Sequence, residues 1–221
     1  MEVSYEMQIL QGELLFDNTV VLAYKIAYPQ FSSRRFGGAV RAINLFYQQR
    51  AKEMERNSIK KLYPAAVQQY VFNKKNGYPP MQYQMISECK VTYTADCTIS
   101  LYCDTYTYQG GANGMTVRTS DTWDLRTARR RPLSSFFPRG TDVQTVLTDG
   151  VIAQIEAQED EEAYFDDYAE SVREFFDPAQ FYLTSGGLTL YYQVYDIAPH
   201  SSGIPEFLFP YQRRGPAQPH C

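Results

Sequence analysis

The chain has 221 residues with 25 acidic and 21 basic side chains, a formal net charge of −4 and a hydrophobic fraction of 44%. That balance excludes a wholly disordered chain, whose mark is low hydrophobicity with high net charge. It also excludes a general attraction for phosphate backbones, which rests on clustered Lys and Arg, so no nucleic-acid partner is expected and a basic protein is the better-matched one.

One generous domain or two small lobes can bury a core at this length without a disulfide or metal. No stretch approaches the roughly eighteen apolar residues of a membrane span, so no membrane insertion by this chain is expected. No export signal is read at the start, and the compartment is left open. The 19 Tyr and 13 Phe against one Trp suit half-buried sheet faces, where a ring covers apolar area while its hydroxyl reaches water.

In chain order, Leu14-Leu15-Phe16 and Val20-Val21-Leu22-Ala23-Tyr24, parted by Asp17-Asn18 and followed by Pro29, predict a strand, a turn and a strand. Val40, Ile43, Tyr47, Ala51 and Met54 recur at the spacing of an amphipathic helix. Pro64 kinks that helix or opens a second segment through Val67, Tyr70 and Val71, closed by Asn76-Gly77 and Pro79-Pro80.

Residues 82–124 alternate, with Cys97, Ile99, Leu101 and Cys103 on one side and Thr98, Ser100, Tyr102 and Asp104 on the other. The pattern predicts an antiparallel meander, turning near Thr94-Ala95-Asp96 and at Gly110-Gly111-Ala112-Asn113-Gly114. Thr141-Asp142-Val143-Gln144 fits a capping box with Thr141 as the cap, ahead of a helical face of Val143, Leu147, Val151 and Ile155. The acidic run Glu159, Asp160, Glu161 and Glu162 separates it from a second helical patch ending near Phe175-Phe176.

Strands then return at residues 181–183, 188–195 and 206–209, with a turn at Ser185-Gly186-Gly187, and residues 213–221 read as a disordered tail. The fold class expected is α+β, with mainly antiparallel sheets packed with helices in two similar strand-helix-strand lobes sharing a core, residues 1–112 and 113–212.

Chemistry is sparse. Cys89, Cys97, Cys103 and Cys221 lack metal-ligand spacing, so no metal is expected and buried free thiols are the plainer reading, with a Cys89 to Cys97 bridge across a hairpin as the alternative. His200 could orient Ser201 or Ser202, but neighbours in a loop seldom face one another, and a solvated histidine is expected. Carboxylates between Glu159 and Glu170 set no defined separation across a sugar and are expected to be solvated or to form a docking patch. The Gly-rich segment could cradle an anion, but it joins strands and reads as a tight connection. Arg126 and Arg129-Arg130-Arg131 read as a solvated turn.

Tyr108-Gln109-Gly110-Gly111-Ala112-Asn113-Gly114, then Trp123-Asp124-Leu125, Pro132-Leu133 and Phe136-Phe137, resemble the core motif of the RsiV/PdaC-like domain family. Phe181-Tyr182-Leu183-Thr184, Gly187-Leu188, Tyr195-Asp196-Ile197-Ala198-Pro199 and Gly203-Ile204-Pro205-Glu206-Phe207 resemble its closing signature. Asn113 stands where the family motif has His.

The resemblance implies an extracytoplasmic module of the kind that senses lysozyme on anti-sigma factors or accompanies a peptidoglycan deacetylase. Deacetylase chemistry of that kind needs an Asp and two closely spaced His on a metal, whereas this chain has only His200 and His220. The expectation is a non-catalytic binding module without cofactor, recognising a lysozyme-like protein or a cell-wall component, with Glu159, Asp160, Glu161, Glu162 and Asn113 as candidate contacts. The alternatives are a glycan-acting enzyme with paired carboxylates and a structural or oligomerising domain using a Tyr-rich sheet face.

Overall fold

The computed structural model describes residues 3–158, 163–213 and 215–221. Asp17 and Asn18 take φ of 51° and 57°, the left-handed pair a two-residue hairpin turn needs to match strand twist, and short polar side chains tolerate it. β1 (Ser4–Phe16) therefore pairs antiparallel with β2 (Thr19–Ser32), running from Phe16↔Thr19 to Ser4↔Ser32 with an irregularity between Leu14 and Leu15.

Helix α1 (Gly37–Asn57) buries the expected stripe of Val40, Ile43, Tyr47 and Ala51. A π-helical stretch, Ser58–Leu62, leads directly into α2 (Tyr63–Asn76), and Pro64 in its first turn lacks the N–H that would continue the helical bonding. Gly77, at φ 73°, closes α2, as a glycine does where Cβ would be strained. These helices carry the chain back across the sheet, so β3 (Tyr83–Ala95) pairs parallel with β2, from Leu22↔Tyr83 to Ala27↔Glu88. A parallel pairing needs such a long crossover.

A second two-residue turn, Asp96 and Cys97 at φ 50° and 55°, joins β3 to β4 (Thr98–Tyr108). β5 (Met115–Asp124) follows the Gly-rich connection, and β6 (Arg129–Arg130) pairs back on β5 antiparallel. The sheet order is β1-β2-β3-β4-β5-β6. Helices α3 (Val143–Glu156) and α4 (Tyr168–Glu174) precede a three-stranded antiparallel sheet of β7 (Phe181–Leu183), β8 (Gly187–Tyr191) and β9 (Glu206–Pro210). The architecture is α+β with mostly antiparallel pairing, as the sequence pattern indicates.

Contacts divide the chain into two units that interleave in sequence: Val3–Cys89 with Cys103–Val117, and Lys90–Tyr102 with Arg118–Cys221. The first is centred on Val21, Leu22, Ala66 and Tyr83. The second buries Leu133, Phe136, Leu147, Val151, Leu183 and Phe207 among others, each such side chain contributing about 1.5–3 kcal/mol by leaving water.

Three expectations are corrected. The cap of α3 is Asp142, not Thr141: Asp142 accepts from the Thr145 amide at 3.2 Å and from its hydroxyl at 2.8 Å. With the helix starting at Val143, Thr145 occupies the third helical position and Gln144 falls one short of reaching back.

The cysteines are not free, and Cys89 does not meet Cys97. Cys89 bonds Cys103 and Cys97 bonds Cys221. Cys97 lies in the turn itself, which leaves Cys103, within β4, as the partner for Cys89 in β3.

Residues 215–221 are not a loose tail. Besides the Cys221 bond, the Ala217 amide donates to Phe136 O at 2.7 Å, and Pro216 and Pro219 are buried.

Candidate functional site

The second unit contains an open cleft of about 660 Å³. One wall comes from residues 120–122 of β5. A two-residue return strand places the chain after β6 beside them: the Arg131 amide donates to Thr122 O at 2.7 Å, and Pro132 and Leu133 then turn into a 3-10 helix, Leu133–Phe136. The first turn of α3 supplies Val143 and Gln144, and the segment before β7 supplies Phe176, Pro178 and Ala179, with Phe181 of β7 itself.

The tight β5–β6 turn is fixed locally. Asp124 accepts from the Arg126 amide at 2.8 Å and from its guanidinium at 2.7 Å, and Arg126 holds the Asp124 carboxyl below the usual carboxylate range. Ala128 takes φ 55° to complete the turn.

Most of the cleft surface is carbon. Its ionic groups are engaged: Arg130 Nε meets Asp121 Oδ1 at 2.6 Å, with Asp121 only 7% exposed, and the Arg130 guanidinium lies 5.2 Å above the Trp123 ring. Arg131 is half-buried, donates to Thr98 Oγ1 at 3.3 Å and lies 4.4 Å above Phe136, and burial lowers its pKa. Arg126, Arg129 and Arg130 are exposed at the turn as expected, with Arg126 and Arg130 also ion-paired, whereas Arg131 departs from the expectation by its half-burial over Phe136.

Ser120 donates to Ala179 O at 3.1 Å and lies 3.1 Å from the Tyr191 hydroxyl. That contact leads into a buried network. Arg118 is 7% exposed, its guanidinium 3.8 Å above Tyr102 and 5.6 Å from Tyr191. It pairs with Glu206, which also accepts from the Tyr182 hydroxyl at 2.9 Å. Gln193 clamps the Arg118 backbone, accepting from its N–H at 2.9 Å and donating to its carbonyl at 2.8 Å. Burial, then the Glu206 charge, raises the Tyr182 pKa.

Among the expected contacts, Glu159, Asp160, Glu161 and Glu162 lie outside the described residues. Asn113 is exposed in the β4–β5 connection and does not line the cleft. That connection is a tight one: Gly110 and Gly111 take φ of 97° and 91°, and the Tyr108 hydroxyl donates to Gly111 O at 3.1 Å.

His200 sits in a short 3-10 helix, its ring 5.5 Å from that of Tyr195, while the Ser202 hydroxyl donates to Ala163 O at 2.9 Å. Asp121 is the single carboxylate among the described lining residues, and no group of three or more His, Cys, Asp or Glu among the described residues could hold a metal. Sequence reasoning missed Asp121. An acid between Ser120 and Thr122 in an alternating strand, a few residues ahead of an Arg run, was the available signal.

Residues 16–116 match the family model described as deacetylase PdaC, and residues 134–212 match that of DUF3298, a protein family of unknown function. The two matched segments follow one another, a PdaC-like one and then a DUF3298-like one. No curated protein matches it. A solved DUF3298 family member from Bacteroides fragilis is similar with a TM-score of 0.70 at 21% identity, covering 95% of this chain and 90% of that one. A DUF3298 family protein from Pseudomonas aeruginosa has a TM-score of 0.58 at 18% identity, covering 94% and 89%. Both show a shared fold. The DUF3298 match contains the α3 side of the cleft and Phe176 to Phe181, whereas residues 120–133 lie between the two matched segments.

Proposed function

We propose that this chain is a non-catalytic recognition module of the bacterial cell envelope, holding a basic protein such as lysozyme, or a cell-wall component, in the cleft of its second unit. The observation that carries the reading is the cleft itself. A carbon-lined depression of about 660 Å³ with a paired Asp121–Arg130 rim offers an anchor site for an apolar group and orienting polar contacts, the common anatomy of a binding pocket.

Acid–base catalysis on a glycan needs two opposed carboxylates; Asp121 has no second acid facing it among the described lining residues. Two disulfides suit an oxidising compartment outside the cytoplasm, the RsiV/PdaC-like resemblance points to the envelope, and a net charge of −4 favours encounter with a basic partner.

Calorimetric titration at low salt, with lysozyme and separately with soluble peptidoglycan fragments, tests the proposal against a Val143→Asp variant. The acid placed in the first turn of α3 suits the helix dipole while putting a charge on the cleft wall. Binding of one ligand, weakened at least about tenfold in the variant, which is about 1.4 kcal/mol, is expected. The absence of heat with both, or equal affinity in the variant, would refute it.

A further inference from the structure

The edges of the six-stranded sheet differ in how they are protected. At one end, β6 is two residues long and consists of Arg129 and Arg130; short, charged edge strands resist pairing with other chains. At the other, β1 has 13 residues and contains no Lys, Arg or Pro. Its irregularity falls between Leu14 and Leu15, and its far end is held where the Tyr63 hydroxyl donates to Leu15 O at 2.8 Å. The first part of β1 carries neither guard. Its outward side chains Tyr5, Met7 and Ile9 are 47%, 36% and 53% exposed, an apolar row on a strand whose outer backbone groups face no neighbouring strand of the sheet.

We propose that two copies of this chain associate through β1, each adding its edge to the other as an antiparallel strand about a two-fold axis at Met7. The sequence of the strand selects that occupant and that register. A two-fold axis places a residue opposite itself and pairs the rest symmetrically. Centred on Met7, it sets Tyr5 against Ile9 of the second copy, Ile9 against Tyr5 and Met7 against Met7, so the exposed apolar row meets only apolar side chains.

The same register sets Glu6 against Gln8, a carboxylate against an amide donor, a pairing these two side chains already make within one strand at 2.9 Å. Glu13 falls beyond the overlap. A register centred on Glu6 would oppose two carboxylates, which is destabilising. The net charge of −4 opposes association only weakly at physiological salt, where exposed charges are screened beyond about 8 Å.

Sedimentation velocity over a concentration series at physiological salt should show a monomer–dimer equilibrium. Met7→Lys, which sets two ammonium groups face to face, should weaken the dimer at least about tenfold, while Leu45→Lys, at a 52% exposed position on α1, should leave it unchanged. Circular dichroism checks that both variants fold. Spin labels at Gln11 should report a separation on the order of 26 Å across the two-fold axis, eight residues at about 3.3 Å each. A monomer at every concentration, a dimer indifferent to Met7→Lys, a label distance far from that value, or a monomer whose β1 captures a foreign extended peptide instead would each overturn the proposal.

Discussion

Glu206→Ala tests the buried network. The substitution leaves the Arg118 guanidinium, 7% exposed, without its carboxylate. Removing one partner of a buried pair costs about 3–5 kcal/mol, but the Glu206 side chain is 40% exposed, so water already screens part of the attraction and about 2 kcal/mol is the appropriate share. The Tyr102 and Tyr191 rings remain against the cation and keep the loss at that lower end. Tyr182 also loses the acceptor it meets at 2.9 Å, adding about 1 kcal/mol. The sum, near 3 kcal/mol, corresponds to a fall in Tm of about 6–12 °C for a chain of this size. Thermal and urea denaturation followed by far-ultraviolet circular dichroism measures it. Glu206→Gln, which keeps an oxygen for Tyr182 but not the charge, should lose less. A Tm for Glu206→Ala within about 2 °C of the parent would show that Arg118 does not depend on this partner, and the argument would fail.

Gly187→Ala should destabilise by about 1–3 kcal/mol, because its Cβ would collide with the carbonyl oxygen of Phe209 and lie 2.9 Å from Pro210 Cα, backbone that cannot rotate away; urea denaturation unchanged in midpoint would contradict this. Replacing Cys97 and Cys221 together by Ser should cost about 2–4 kcal/mol, since the bond closes a long loop with a sequence separation of 124, and hydrogen exchange should speed up across residues 212–221. Alkaline pH should unfold the protein. Burial raises the pKa of Tyr182, Tyr192 and Tyr211, and that of Tyr93 to about 12. Groups raised above an unfolded value near 10 contribute stability that is intact below about pH 10 and is lost as pH climbs through the folded values. Tyrosinate absorbance for these four should therefore appear together with loss of circular dichroism rather than before it.

Elements governed by local chemistry were legible in the sequence. The Asp17-Asn18 turn, the α1 stripe and the strands β7 and β9 all follow from turn residues and periodicity. Features set by distant partners were not. The interleaving of Lys90–Tyr102 with Arg118–Cys221 depends on contacts that no window of sequence contains. Residues 213–221, rich in Pro and polar side chains, have the composition of a tail, yet Ala217 and Cys221 are held by Phe136 and Cys97. The cleft was half legible: the Arg run was visible, but its meaning changed once Asp121 lay 2.6 Å from Arg130.

The positions that carry the family resemblance are largely those that build the scaffold. Phe181, Leu183, Leu188, Ile197 and Phe207 are 5% exposed or less, Gly187 fits where a Cβ would strike Phe209, and Tyr195 adopts φ 72° in a turn. Of the cleft-lining residues, Pro132, Leu133 and Phe181 belong to those motifs, while Asp121, Arg130, Val143, Gln144 and Phe176 do not. On the recognition role proposed above, a ligand in the cleft would be discriminated at these positions outside the motifs, where an unmatched polar group or a clash separates one ligand from another. Substitutions at the exposed Gln144 should accordingly move affinity with little effect on stability, whereas substitutions at the buried motif positions should unfold the second unit before any change in recognition could be read.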